Sequence, residues 1–189
     1  MIPIHVMPEM PTQAFLDALQ QQGFAGEIDT SAAQRAVYAT DNSIYERPPQ
    51  AIVCPKHVAD LQVLTRLLAE ERFRGVVVTA RGGGTGTNGQ SLTEGIVVDV
   101  SRHMNHILSI DVAKRQVRVQ AGVVKDQLNR VLKPHGLFFA PELSTSNRAT
   151  IGGMVNTDAS GQGSCTYGKT RDHVLALKTV LWGGEVLQS

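Results

Sequence analysis

Apolar residues recur at helical spacing in three segments of the chain. The first segment, residues 11–23, predicts a short amphipathic helix that Gly23 ends. A stronger apolar stripe predicts a second helix over residues 58–73, which Gly75 stops. A third helix is expected over residues 123–135, where a Pro-His-Gly sequence ends it.

Short apolar runs between these segments predict strands. Residues 51–54 and 76–80 flank the second helix, so this strand, helix, strand order predicts a parallel pair with a crossover. The run at 76–80 is continuous and mostly β-branched, which is typical of a strand buried on both faces. A further strand is expected at residues 96–100.

The later strands follow an antiparallel pattern. Residues 107–110 and 116–120 alternate around a polar turn and predict a hairpin. One more strand is expected near residues 174–182, and a glycine pair separates it from a short strand at 185–187. Because no partner follows that last strand, we expect the chain to be a piece of a longer protein.

Composition and charge exclude several classes of function. With 42% hydrophobic and 19% charged residues, the 189-residue chain has the composition of an ordinary globular protein. Its net charge of +1 creates no general attraction to nucleic acid or to an anionic membrane. The first residues have neither a basic region nor a long apolar run, and no other segment approaches about 20 apolar residues, so we expect a cytoplasmic protein without a membrane span.

Cysteines and histidines offer little chemistry. Cys54 and Cys165 lack the spacing of an iron–sulfur or zinc site, and we interpret both as buried small residues. The pair His103 and His106 is expected on a surface loop. We therefore predict no metal site in this chain.

The most informative segment is the glycine-rich stretch from Arg81 to Gly89, directly after a predicted strand. Glycines let main-chain N–H groups approach a ligand closely, so this stretch predicts a concave nest for phosphate oxygens. Thr85 and Thr87 add hydroxyl donors, and Arg81 adds positive charge. The alternative is a mobile surface loop or a tight turn.

Two nucleotide motifs overlap this stretch, and the residues argue against both. Residues 84–89 spell GxGxxG, but the next predicted strand follows too soon for the helix that a nicotinamide-dinucleotide site requires. A Walker A loop would need lysine where Gln90 stands, so a nucleoside triphosphatase is not expected.

A second cluster of small and hydroxylated residues runs from Pro141 to Gly153 and on through residues 156–163 to Tyr167-Gly168. Such a backbone surface suits close contact with a flat ligand, and the two clusters together could clamp one long cofactor. An irregular surface loop is the alternative for this cluster alone.

These motifs, in this order, resemble the FAD-binding domain (PCMH-type) of the p-cresol methylhydroxylase and vanillyl-alcohol oxidase superfamily. The resemblance covers residues 52 to the end, and Asp41-Asn42-Ser43 adds a likeness to large bacterial D-lactate and D-2-hydroxyglutarate dehydrogenases with a C-terminal iron–sulfur region. It implies an α+β fold of two small subdomains with FAD between them. The first would hold a short parallel βαβ sheet, and the second a larger, mostly antiparallel sheet.

The resemblance also implies a division of the chain and a set of cofactor contacts. Residues 1–50 would form a helical and turn-rich lead-in, and residues 51–189 the FAD-binding domain, truncated at its C-terminal end. Cofactor contacts are implied for Arg81, Gly82, Gly83, Gly84, Thr85, Gly86, Thr87, Gly89, Gln90, Pro141, Glu142, Leu143, Ser144, Thr150, Ile151, Gly152, Gly153, Thr157, Ala159, Ser160, Gly161 and Val174.

By the same resemblance, FAD is noncovalent, since no histidine occurs between Arg81 and Gln90. The implied activity is oxidation of a D-2-hydroxy acid, by hydride transfer to flavin N5, with an unidentified electron acceptor. Catalytic residues and any iron–sulfur cluster would lie outside this chain. Two alternatives stay open: a nicotinamide-dependent dehydrogenase, and a catalytically silent module whose glycines serve as turns.

Overall fold

The computed structural model describes residues 11–189. Its helices are α1 (Pro11–Gln21), α2 (Ala32–Tyr38), α3 (Val58–Leu68), α4 (Lys125–Leu132), α5 (Ile151–Thr157) and α6 (Ser164–Tyr167). Its strands are β1 (Glu27–Asp29), β2 (Ala51–Cys54), β3 (Val78–Arg81), β4 (Ile96–Asp99), β5 (Ile107–Asp111), β6 (Gln116–Val119), β7 (Lys178–Val180) and β8 (Val186–Gln188).

A four-stranded sheet of order β1-β2-β4-β3 forms the first part of the fold. The strands β2, β4 and β3 are parallel, and β1 pairs with β2 in the antiparallel sense. Every residue of β2 and β4 is buried. One face of the sheet packs on α1 and α3, and the other face carries Ile52, Cys54 and Val97 against Tyr38 at the end of α2.

The parallel arrangement confirms the strand, helix, strand prediction, with one change. The strand β4 lies between β2 and β3, so the crossover through α3 skips one position. The expectation that residues 76–80 are buried on both faces is wrong. Strand β3 begins at Val78 and occupies the edge of the sheet, and the side chain of Val77 is 61% exposed.

The second part of the fold contains the antiparallel strands. The predicted hairpin is confirmed as β5–β6, and Val123, Leu128 and Leu132 of the α4 region pack against its apolar side chains. Strands β7 and β8 form a separate two-stranded sheet. Its turn is held on α3, because Gly183 N donates to Thr65 O at 3.2 Å and the Gln62 amide donates to Gly184 O at 2.9 Å.

Helix ends differ from the prediction in an informative way. Helix α3 ends at Leu68, and a separate 3-10 turn covers Glu71–Phe73; α4 likewise ends at Leu132 before a 3-10 turn at Lys133–His135. In addition, Ile151–Thr157 is helical where no helix was predicted, and Cys165 is exposed rather than buried. No helix within residues 11–189 combines the length and the apolar character that a bilayer crossing requires.

Candidate functional site

The glycine loop, residues 82–89, follows β3 at the carboxyl edge of the parallel strands. No helix follows Gly89, since residues 90–95 lead directly into β4. This arrangement confirms the argument against a nicotinamide-dinucleotide fingerprint, which needs a helix at that point. In open sheets with parallel strands, this edge is where ligands bind.

The main chain of this loop is free to bind a ligand. Among residues 11–189, no acceptor pairs with the N–H groups from Gly83 to Thr87. The next amide, Asn88 N, donates to the Gln90 side chain at 3.2 Å. Successive unpaired amides of this kind form the concave donor sets that hold phosphate oxygens.

The two glycine-rich clusters meet in space. A Cβ placed on Gly82 would lie 2.2 Å from Thr150 Oγ1, and one on Gly83 would lie 2.1 Å from the carbonyl oxygen of Arg148. Because neither distance leaves room for a side chain, the close approach requires glycine at both positions. The structure thus brings together two clusters that are about 60 residues apart in the sequence.

A cavity of about 330 Å³ opens at this junction. Loop, strand-end and helix-start residues from both parts of the fold form its wall. The lining residues are Gly82, Gly83, Ser101, Asn105, Gly122, Val124, Gln127, Asn147, Arg148 and Thr150. Ser101, Asn105 and Gln127 were not predicted as site residues, since no local motif marks them and only the fold brings them to the cavity.

A larger hollow, of about 520 Å³, lies elsewhere, at the amino ends of β3 and β4. It contains none of the predicted cofactor residues. Its wall includes Gln50, whose Oε1 atom is buried without a hydrogen-bond partner among the described residues. Size alone therefore does not identify the site, and the chemistry of the glycine loop favours the smaller cavity.

The second cluster is more ordered than its composition predicts. Thr150 caps α5, because its Oγ1 accepts from Gly153 N at 3.3 Å, and Gly152 N donates to Ala121 O at 2.8 Å. A Cβ on Gly161 would lie 2.0 Å from Glu142 O, so residues 141–144 pack directly on the segment after α5. The site residues of this cluster therefore form one connected surface.

An ion pair holds the end of α5 in place. Asp158 adopts a left-handed conformation, with φ of 46°, and its carboxylate accepts from Arg171 N at 3.0 Å and from Arg171 Nε at 2.6 Å. These hydrogen bonds hold the pKa of Asp158 below its usual value. The fully buried Thr170 adds a hydrogen bond from its Oγ1 to Ala159 O at 2.7 Å. Residues 157–161 are thereby tied to the 3-10 turn at Thr170–His173.

Arg81 contacts protein groups beneath the loop. Its guanidinium donates to Thr40 O at 2.8 Å and to Tyr38 O at 3.4 Å, and it lies 5.1 Å from the centre of the Tyr38 ring. A Cβ on Gly84 would lie 2.7 Å from Arg81 Nη2. The positive charge therefore sits directly under the first turn of the loop.

A buried acid supports the end of β4 near the cavity. Asp99 accepts from Tyr38 Oη at 2.5 Å and from Ser101 N at 2.7 Å. Burial and this hydrogen bond to Asp99 raise the pKa of Tyr38 well above its usual value. Burial, with the nearby charge of Asp99, raises the pKa of the Cys54 thiol to about 11, so this thiol is neutral at physiological pH.

Val174 is half-buried and follows the 3-10 turn at Thr170–His173. The two histidines predicted on a surface loop have separate partners. His103 Nε2 lies 2.7 Å from Glu27 Oε1, and His106 Nδ1 lies 2.9 Å from Gln120 Oε1.

Comparison with known proteins agrees with this geometry. Residues 49–189 match the family model described as FAD binding domain. The chain is 67% identical over 184 residues to D-2-hydroxyglutarate dehydrogenase of Pseudomonas putida, covering 97% of this chain and 18% of that protein. It is 60% identical over 175 residues to the Escherichia coli enzyme of the same name, covering 93% of this chain and 17% of that protein.

A solved structure agrees at the level of the fold. Alkyldihydroxyacetonephosphate synthase superposes with a TM-score of 0.82 at 23% identity, covering 98% of this chain and 40% of that one. The chain spans less than a fifth of the length of the two dehydrogenases, at 18% and 17%.

The residues present fit a dinucleotide cofactor of this kind. The loop offers unpaired amides, and the contacts of Gly82 and Gly83 keep side chains out of the junction between the clusters. Since the family model also matches most of the chain, the protein belongs to the FAD binding domain family, and FAD is its cofactor.

Proposed function

We propose that residues 11–189 form the FAD-binding part of a flavin-dependent dehydrogenase that oxidises a D-2-hydroxy acid to the 2-oxo acid. The observation that carries the proposal is the meeting of the two glycine clusters at Gly83 and Arg148, beside a row of unpaired amides. The substrate class is supported by the two relatives named D-2-hydroxyglutarate dehydrogenase.

We propose the following division of the cofactor site. The amides from Gly83 to Thr87 hold the pyrophosphate, and Arg81 contributes through its charge beneath the loop. Residues 141–144 and 150–153 line the adenosine and ribityl portions. Residues 157–161 lie toward the phosphates and the flavin end, and Val174 contacts the cofactor through its backbone.

The chain's own contribution to the reaction is binding and orientation. When bound, FAD supplies a hydride acceptor, its N5 atom, for oxidation at the substrate α-carbon. The Asp158–Arg171 pair and Thr170 fix the segment proposed for the flavin end, so that the cofactor is held in one orientation. Noncovalent binding and a cytoplasmic location stay predictions.

The assignment of the loop is tested by Gly86→Val. A side chain at Gly86 would strike the flexible Gln90 side chain, 2.2 Å away, rather than backbone, so the fold should survive while the loop is blocked. We expect wild type to bind one FAD per chain, and Gly86→Val to bind none with an unchanged far-UV circular dichroism spectrum. Ala113→Val, in the exposed hairpin turn, is the control of matched size. Equal FAD binding by wild type and Gly86→Val would refute the assignment.

The activity is tested on a longer polypeptide that contains these residues and has the length of the relatives. We expect anaerobic D-2-hydroxyglutarate to bleach the visible flavin band, and the L-enantiomer to leave it unchanged. D-lactate in a parallel reaction distinguishes the two substrate types of the resemblance. A flavin band that persists with both D-acids would contradict the proposed substrate class.

A further inference from the structure

The lead-in turn, Asp41–Tyr45, lies outside the segment that the family model matches, yet it lies against the glycine loop at two places. Asn42 N donates to Gly84 O, in the third residue of the loop, at 3.1 Å. At the last residue of the loop, a Cβ on Gly89 would lie 2.9 Å from Tyr45 Cδ2. The lead-in turn therefore follows the loop from Gly84 to Gly89.

The carboxylate of Asp41 connects this turn to the residue that follows the loop. Its Oδ2 accepts from the hydroxyl of Ser91 at 2.9 Å, and its Oδ1 accepts from Ser43 N at 2.8 Å. Ser91 is buried, so its hydroxyl depends on this partner. One side chain thus fixes the shape of the turn and the exit of the loop.

The base of the lead-in turn is itself anchored. Thr40 and Glu46 form an isolated antiparallel bridge, and Arg47 N donates to Ala39 O at 2.8 Å. The carbonyl of Thr40 accepts from Arg81 Nη2 at 2.8 Å, at the end of β3. The turn is therefore fastened to the same strand from which the glycine loop begins.

The loop needs such outside support. Its amides from Gly83 to Thr87 make no bond within the described residues, and Gly84 and Gly89 hold left-handed φ values of 60° and 71°. A glycine-rich segment of this kind loses much conformational freedom when it is ordered. Contacts that order it in advance remove that cost from ligand binding.

We propose that the lead-in turn is part of the cofactor site, and that Asp41 is a positioning residue that holds the glycine loop in its FAD-binding shape. Asp41 acts through Ser91 and through the turn, without touching the cofactor. The inference rests on the proposed role of the loop in FAD binding. It extends that site to residues before position 49.

The test uses Asp41→Ala and Ser91→Ala in the 189-residue chain, with Asp29→Ala as matched control. Asp29 makes the same kind of turn, since its Oδ1 accepts from Ser31 N at 2.7 Å, but it lies at the end of β1. We expect Asp41→Ala to raise the FAD dissociation constant about tenfold, as for loss of a hydrogen bond to a charged group. Ser91→Ala should have a smaller effect in the same direction, and Asp29→Ala none.

A second readout needs no cofactor. In the FAD-free chain, Asp41→Ala should accelerate hydrogen exchange at the amides of Asn42 and Leu92, which donate to Gly84 O and Gly89 O of the loop, whereas residues 96–99 of β4 should exchange as in wild type. Asp41→Asn should restore most of the protection, because its amide group can accept from Ser43 N and donate to Ser91. This exchange experiment separates the role of the turn from the identity of the ligand.

The outcomes are distinct. Wild-type FAD affinity together with wild-type exchange in Asp41→Ala would overturn the inference, and so would equal effects of Asp29→Ala and Asp41→Ala. Equal FAD binding by wild type and Gly86→Val would instead refute the proposed function. The exchange data would still decide whether Asp41 orders the loop.

Discussion

The two parts of the fold each contain an edge-to-face aromatic pair, and the pairs differ in burial. Phe15 and Phe73 lie 5.2 Å apart beneath the four-stranded sheet, and the Phe15 side chain is fully buried. The ring centres of Phe138, which precedes the second cluster, and Tyr167, at the end of that cluster, lie 5.7 Å apart, and Phe138 is 58% exposed. The first pair belongs to a core and the second to a surface.

This difference separates stability from function in the chain. The sheet with α1 and α3 buries its apolar residues in one continuous cluster, which supplies most of the hydrophobic stabilisation. The region from residue 137 onward is held by backbone contacts, caps, one ion pair and a small apolar cluster on α4, while apolar residues of the β7–β8 hairpin are largely exposed. Rigid strands therefore present a site that is built mostly from backbone.

The largest expected change in the free energy of unfolding is the difference between substitutions in the two aromatic pairs. Phe15→Ala should lower the free energy of unfolding by about 3–5 kcal/mol, because it leaves a cavity in the core. Phe138→Ala should cost less than about 1 kcal/mol, since its ring is already hydrated. Urea unfolding of both variants measures the difference. Similar losses would show that the Phe138 ring is packed in a core rather than lying on the surface.

A smaller effect is expected where the sheet meets the site. Tyr38→Phe removes the hydrogen bond to buried Asp99 and should cost about 1.5–3 kcal/mol. The raised pKa of Tyr38 means that its stabilising contribution is fully present below the ordinary tyrosine pKa of 10.0, and is lost only as pH rises through the higher folded value. Urea unfolding should therefore give the same cost at pH 7 and pH 9.

The smallest effect on stability is expected at the Asp158–Arg171 ion pair, because the Arg171 side chain is exposed. Because the pKa of Asp158 is lowered, its contribution is present above pH 3.8 and is lost as pH falls through the lower folded value. The protection factors of the Ala159 and Thr170 amides, which are corrected for the slower intrinsic exchange in acid, should fall on acidification, and salt should weaken the pair. In Asp158→Asn these protection factors should be equal on both sides of that transition.

Elements with strong local signals were predictable from the sequence. The strand at residues 51–54 has the predicted bounds, and the β5–β6 hairpin follows its alternating pattern. The glycine loop was predictable because no core needs such a run of glycines. The sequence predicted only that the two clusters could hold one cofactor between them. The structure adds the contacts by which Gly82 and Gly83 lie against Thr150 and Arg148.

Other features depend on contacts between distant residues. Helix α5 begins Ile-Gly-Gly, which has low helix propensity, and forms because Thr150 caps it and Met154 is buried beneath it. The edge position of β3 explains why Val77 is exposed despite its β-branched run. No local pattern reveals that Asp41 reaches Ser91, 50 residues away.

The central claim is that the two glycine clusters together bind FAD, and hydrogen exchange with and without FAD tests it most directly. The account predicts that FAD slows exchange at residues 83–87 and at residues 150–153 together, while the β7–β8 hairpin is unchanged. Protection confined to the hollow around Gln50 and Glu94, or none at the glycine loop, would contradict it.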